Sequence, residues 1–204
     1  MARYRTSRRQ RQAEATRRDI LDAARKLFRE RGFAATSVAA IADEADVAVQ
    51  TIYSAVGSKR AVVVSLVDVI DEEVEIGPLL RGLDEIEKPR EVIALMTTIT
   101  RQIQERCGDI IATLTAASHS EPDVLAAAEE GRRRHRFGAG RLAARLAELG
   151  ALRKGVDEER AGDVLALLTS TETYAQLTQR HGWSFDEAEQ WMRESLARLL
   201  LKRP

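Results

Sequence analysis

The chain has 204 residues and a formal net charge of zero, with 32 Lys+Arg against 32 Asp+Glu. That length suffices for one or two domains with a sizeable core. A single cysteine, Cys107, excludes an internal disulfide, and the most apolar run, Ala61 to Ile70, is interrupted by Asp68 and falls far below the ~20 residues a membrane span needs. With no secretory apolar segment near Met1, these features point to a reducing cytoplasm and to no membrane partner.

The charge is unevenly placed. Residues 1–60 hold 13 Lys+Arg and 7 Asp+Glu, a balance of +6, which leaves −6 for the remainder. A basic head on an acidic body suits a polyanionic partner at one end. Gly and Pro are scarce and Ala, Leu, Arg and Glu dominate, so the expected fold class is all-α. Residues 1–14 read as a basic flexible arm, with Arg3, Arg5, Arg8, Arg9 and Arg11 and no apolar periodicity. It is either a solubilising tail or an arm that reaches a DNA minor groove.

The first helix is expected over about Ala15–Arg31, with Ile20, Ala23, Ala24, Leu27 and Phe28 on one face. Gly32 stops it. Thr36 or Ser37 caps a second helix that runs to about Ala45 with Val38, Ile41, Ala42 and Ala45 inward. Asp46-Val47 forms a turn, and a third helix covers about Ala48–Ala55. Gly57-Ser58 breaks and caps again, and a fourth helix runs from Lys59 to about Ile76. Gly77 to Pro89 is a connection containing a helical turn. Further helices are expected at about Arg90–Glu105, Asp109–Ser118, Pro122–Leu149, Asp157–Arg180 and Ser184–Leu201.

Two short helices joined at a tight turn make a helix-turn-helix, which lays its second helix in the major groove. Val47, Ile52 and Val56 face inward on that helix. Val49, Gln50, Thr51, Tyr53 and Ser54 face outward. Gln50 can pair bidentately with adenine, and Val49 or the Thr51 methyl can meet a thymine methyl. Thr36, Ser37 and Tyr53 suit phosphate oxygens, and Lys59 at a helix N-terminus suits a phosphate. Each has a plainer reading: Thr36 and Ser37 as caps, Tyr53 as a packing residue, Lys59 as a solvated lysine.

Four segments carry a resemblance: I-L-D-A-A-R-K-L-F-R-E-R-G-F at Ile20–Phe33, T-S-V-A-A-I-A-D-E-A at Thr36–Ala45, V-A-V-Q-T-I-Y at Val47–Tyr53 and S-K-R-A-V at Ser58–Val62. Together they resemble the N-terminal domain of the tetracycline-repressor (TetR) family of bacterial transcription regulators. The resemblance implies a three-helix DNA-binding domain at 15–60 and a helical effector-binding and dimerisation domain at 61–204. It also implies a homodimer, usually a repressor, bound to double-stranded operator DNA and released by a small-molecule effector that the sequence does not identify. By position, Thr36, Gln50, Thr51, Tyr53 and Lys59 fall on family DNA-contact sites. The chain departs from the family in having Asp46 where the turn often has Gly. Ser54-Ala55-Val56 stands where an aromatic-His-Phe run is common, which affects the choice of operator sequence.

The C-terminal body has no motif of that strength. Candidate apolar pocket walls are Met96, Ile99, Ile103, Ile111, Leu114, Phe137 and Leu168. Candidate polar contacts are Thr100, Thr113, His119, Thr171, Glu172 and Tyr174. The last helix carries Phe185, Ala188, Trp191, Met192, Leu196, Leu199 and Leu200 as one stripe. Its predecessor carries Val164, Leu167, Leu168, Thr171, Ala175 and Leu177 or Thr178. Two such pairs would form a four-helix dimer interface, with an intrachain core as the competing use. Arg132 to Arg136 reads as a solvated basic face paired with Glu129 and Glu130, or as a site for an anionic effector. Gly131, Gly138 and Gly140 suggest a kink or close packing, and Cys107 a buried small hydrophobe. His119, His135 and His181 lack metal-ligand spacing, and no phosphate loop or nucleophile elbow is present. No metal, cofactor or enzymatic activity is therefore expected. The alternative readings are a constitutive DNA-binding protein without an effector and a helical enzyme with an incidental helix-turn-helix.

Overall fold

In a computed structural model of the chain, backbone is described for residues 2–202 and side chains for residues 8–202. Helix α1 spans Ala2–Ala35, α2 Val38–Glu44, α3 Val49–Ala55, α4 Lys59–Val74 and α5 Ile76–Arg81, followed by a 3-10 turn at Gly82–Glu85. Then come α6 (Pro89–Ser118), α7 (Pro122–Glu148), α8 (Glu158–Leu168), α9 (Thr171–Ala175) with a π-helical turn at Gln176–Arg180, and α10 (Phe185–Leu200). The fold is all-α. Among the described residues the one non-helical pairing is an isolated antiparallel bridge between Leu152 and Leu201.

The helices fall into two compact units. One comprises Met1–Ile70 with Asp109–Glu129, the other Asp71–Gly108 with Glu130–Pro204. In the first, α1 packs on α2 and α3, and α2 on α3. Ile20, Ala24, Leu27, Phe28, Ile41 and Ile52 are buried at the helical spacing read from the sequence. Arg25 holds Asp109 through two hydrogen bonds of 2.6 and 2.7 Å. Burial pushes the Asp109 carboxyl up, but the Arg25 guanidinium outweighs it and leaves the pKa below its ordinary value.

In the second unit, Val92, Ile93 and Met96 of α6 meet Leu142, Ala143 and Leu146 of α7, Leu165 of α8 and Leu196 and Leu200 of α10. Gly162 of α8 faces Gly140 of α7, where an added Cβ would make an ordinary contact of 3.7 Å with Gly140 Cα. A Cβ added at Gly131, Gly138 or Gly140 would meet nothing within 4 Å, so close packing requires none of the three to be glycine. Thr98, Arg101 and Arg193 converge on the Glu189 carboxylate and tie α6 to α10. Cys107 is buried, with its thiol donating to Glu73 at 3.2 Å.

Several expected boundaries are revised. The arm expected over residues 1–14 is helical from Ala2, because Arg, Gln, Ala and Glu form helix without an apolar face to pack. Met1 and the side chains of Arg3 and Arg5 lie outside the described residues. Helix α4 ends at Val74 because Glu75 takes φ 53°. Gly108 does not divide α6, which is one helix where two were expected. The helix expected over Asp157–Arg180 breaks at Thr169-Ser170, where the Ser170 hydroxyl accepts from the Thr173 amide and caps a new helix.

Candidate nucleic-acid interface

Local chemistry builds the helix-turn-helix. Gly32 adopts φ 78° and ends the regular part of α1, a torsion that favours glycine. Phe33 then turns back onto Phe28, with ring centroids 5.5 Å apart. Ser37 caps α2 by accepting from the Ala40 amide at 3.1 Å. Its own O–H is left to donate outward. Asp46 takes φ 51° in the turn, a left-handed torsion Asp tolerates better than most residues. Lys26 pairs with Glu44 at 2.6 Å and joins α1 to α2.

Helix α3 is anchored by Ile52, which is fully buried, with Val47 and Val56 half-buried beside it. Val49 is 40 % exposed and Tyr53 51 % exposed, with Gln50 and Ser54 exposed and Thr51 half-buried. Tyr53 is thus presented to solvent rather than packed. Ser54 donates its hydroxyl to the Thr51 carbonyl at 3.0 Å, which takes up the proton it would offer to DNA. Gly57 has φ 117°, and a Cβ there would lie 3.0 Å from Ala61 Cβ, so the chain can enter α4 only through glycine.

Two expected phosphate ligands are otherwise engaged. Thr36 is buried, and its hydroxyl donates to Gly32 O at 2.9 Å and Leu27 O at 3.3 Å. It closes the end of α1 and does not reach outward. Lys59 donates to Phe33 O at 2.8 Å and Thr36 O at 2.9 Å and lies 4.2 Å from the Phe33 ring centroid. Two of its three N–H bonds therefore clamp the α1–α2 corner to α4.

With this geometry in place, residues 20–66 match the family described as bacterial regulatory proteins, tetR family. The N-terminal helices are thus similar to the N-terminal domain of that family. No curated protein is significantly similar in sequence. Three solved structures share the fold. NalD, the secondary repressor of the MexAB-OprM multidrug efflux pump in Pseudomonas aeruginosa, is 20% identical over 95% of this chain and 100% of its own, with a TM-score of 0.74. SmeT, the repressor of the Stenotrophomonas maltophilia efflux pump SmeDEF, is 20% identical over 93% and 92%, with a TM-score of 0.68. FadR from Bacillus subtilis, solved with stearoyl-CoA, is 18% identical over 89% and 97%, with a TM-score of 0.72.

The expected pocket residues of this TetR-like chain do not all come together. Thr113, Leu114 and His119 belong to the N-terminal unit, where His119 is exposed and bonds the Thr115 carbonyl. Phe137 is 68 % exposed and Glu172 is exposed, so neither lines an interior wall. In the C-terminal unit Met96, Thr100 and Tyr174 are buried, and Ile103, Leu168 and Thr171 half-buried. The Tyr174 hydroxyl donates to Phe185 O at 3.1 Å.

A buried polar group that the sequence reading did not single out joins Thr100. The Thr100 hydroxyl reaches Thr169 O at 3.2 Å, His135 Nε2 sits 3.1 Å from Thr169 Oγ1, and Gln104 donates to Thr171 O at 3.2 Å. Thr97, Thr100 and Gln104 fall at helical spacing on the inward face of α6, a periodicity that could have revealed them. Burial lowers the His135 pKa, Glu172 opposes and Arg136 adds to it. His135 thus leaves the solvated face expected for Arg132 to Arg136. Its neighbours Arg133 and Arg134 do pair with Glu130, which draws that carboxyl down to about 2.

The expected dimer stripe divides as well. Ala188, Met192 and Leu196 are fully buried inside the chain, while Val164, Leu168, Thr171 and Ala175 are half-buried. Trp191 and Leu199 remain outward, the latter 46 % exposed, and Leu167 of α8 is 68 % exposed. The i, i+4 spacing placed all seven apolar residues of α10 on one broad face, but only one edge of that face is free.

Proposed function

We propose that the chain is a homodimeric transcriptional repressor that leaves its operator DNA when a small molecule binds the C-terminal unit. The observation that carries this is α3: Ile52 pins it to the domain while Val49, Gln50 and Tyr53 stand outward. In a TetR-family domain that is the helix which enters the major groove, with Gln50 aimed at base edges and Tyr53 and Ser37 at phosphates. Such a role places the protein in the cytoplasm with the chromosome. Among the described residues no helix is long and apolar enough to cross a membrane.

Leu167, Trp191 and Leu199 supply the dimer edge. Helices α8 and α10 pack together, and two such pairs related by a two-fold axis give a four-helix interface. For the effector side, Met96 and Ile103 offer apolar walls, and Thr100, Gln104, His135 and Thr169 offer uncharged hydrogen-bonding groups. That set suits a largely apolar ligand with an uncharged polar end. Triclosan in a SmeT complex and stearoyl-CoA in FadR, whose acyl chain is apolar although its CoA end is charged, support an apolar ligand for a protein of this fold. Full release requires about 5.5 kcal/mol of differential affinity between the DNA-competent and released states.

The test is anisotropy titration of labelled duplex from upstream of the protein's own coding sequence, with wild type and Tyr53→Ala. Wild type binds and the variant binds at least tenfold more weakly. Equal affinity would remove α3 from the interface. Small molecules that raise Tm and weaken the complex identify the effector.

A further inference from the structure

Helix α1 begins at Ala2, yet among its described side chains the first buried one is Ile20. Residues 8–15 are all exposed. The segment before Ile20 is therefore a rod of about 27 Å at the α-helical rise, half-buried at Thr16 and Arg17 and exposed over residues 8–15. Its outer half is basic: residues 1–12 contain Arg3, Arg5, Arg8, Arg9 and Arg11 and no acidic residue. At 100° per residue, Arg8, Arg11 and Arg18 lie within about 80° of one another, and Arg9 stands on the other side.

We infer that this helical extension is a second DNA-contact element, lying along the phosphate backbone with its Arg8–Arg11–Arg18 edge. The inference rests on the DNA-binding reading above and adds a surface to it. Charge selects the occupant, a nucleic-acid phosphate ladder. Helicity selects the mode. A helix with side chains is about 10–12 Å across, whereas the minor groove is about 6 Å wide. The extension cannot thread that groove as an extended basic arm does, so it contacts phosphates and adds affinity without sequence preference.

A random-sequence duplex of about 30 base pairs is a sufficient probe, because the contact is sequence-independent. Affinity is measured against salt for wild type, for the triple variant Arg8→Gln/Arg11→Gln/Arg18→Gln, for Arg9→Gln and for Gln10→Pro. Gln keeps helix propensity. Gln10→Pro keeps every charge and breaks the helix.

The triple variant loses about 2.7 from the slope of log K against log salt, so its affinity falls roughly 40-fold less than wild type between 50 and 200 mM. Arg9→Gln changes the slope by less than about 0.5, and Gln10→Pro, which redirects Arg8 but leaves Arg11 and Arg18 on intact helix, lowers it by about 0.9. An unchanged slope in the triple variant overturns the inference. So does a Gln10→Pro variant that matches wild type, because a flexible arm would tolerate the break. A distinct failure, wild type that binds no duplex at all, would overturn the DNA-binding reading itself.

Discussion

Lys59, the first residue of α4, donates its ammonium to the carbonyl of Thr36, the residue that closes α1, across 2.9 Å. The same ammonium takes Phe33 O at 2.8 Å. This bond pair fixes where α4 leaves the DNA-binding domain. Lys59→Met keeps the aliphatic stem and deletes both bonds. Loss of charge-assisted bonds at a half-exposed site costs about 1–2 kcal/mol, a fall in Tm of roughly 2–8 °C. Thermal denaturation measures it. If Lys59 served DNA instead, Tm would hold and the salt slope of binding would drop by about 0.9.

Gly162 on α8 faces α7 with room for one methyl group. A Cβ there meets Gly140 Cα at 3.7 Å and Ala143 Cβ at 3.8 Å, both ordinary contacts. Gly162→Ala therefore gains helix propensity without a clash and should stabilise the chain by about 0.5–1 kcal/mol. Gly162→Leu has no space and should destabilise by about 1–3 kcal/mol. Denaturant titration of both variants decides the matter. A destabilising Gly162→Ala would mean that the helices are closer than the backbone geometry gives.

What the sequence revealed was local. Gly32, Ser37, Asp46 and Gly57 each act within a few residues, through a torsion or a cap, and each does in the structure what its chemistry suggested. On α3 the apolar spacing of Val47, Ile52 and Val56 left Val49, Gln50, Tyr53 and Ser54 outward, while Thr51 is half-buried. What stayed hidden depended on distant partners. Thr36 and Lys59 looked like phosphate ligands until the end of α1 folded against both. The α10 stripe could not say which edge meets α8 and which stays outward. Two helices were expected over Arg90–Glu105 and Asp109–Ser118, yet α6 runs unbroken, and residues 109–129 cluster with the N-terminal unit, where Asp109 meets Arg25 from 84 residues away. His135 lay among four arginines and read as surface, but α7 turns it toward Thr169.

Leu167 and Leu199 are large apolar side chains left outward on helices that pack together, and they form the edge proposed above as the dimer interface. Leu167→Glu combined with Leu199→Glu places like charges on a self-complementary surface, which a two-fold axis confronts with its own copy. Because both side chains are exposed, the monomer should lose little stability, within about 0.5 kcal/mol per site. Sedimentation velocity should show wild type as a dimer and the double variant as a monomer that remains helical by circular dichroism. A double variant that stays dimeric would move the interface elsewhere.

His135 gives the C-terminal unit an acid sensitivity of defined sign. Burial against Thr169 lowers its pKa below the ordinary value, with Arg136 reinforcing the effect and Glu172 opposing it. The unfolded chain takes up the proton near pH 6.5, about the ordinary imidazole value, while the folded chain resists it. Between that pH and the lower folded value the unfolded state binds more protons, so stability falls as pH falls through the window. Above about pH 6.5 both states are neutral and the contribution to the slope vanishes. His135→Gln keeps a donor and an acceptor near Thr169 and removes the titration. Urea denaturation at pH 7.5, 6.5 and 5.5, each about one unit apart, should show wild type losing stability more steeply than the variant toward acid. Glu172→Gln should steepen the wild-type loss, because it removes the one neighbour that favours the imidazolium. Parallel pH profiles for wild type and His135→Gln would show that His135 does not carry the acid response; the Arg25–Asp109 pair cannot stand in for it, because its contribution is lost only once pH falls below the ordinary carboxylate range.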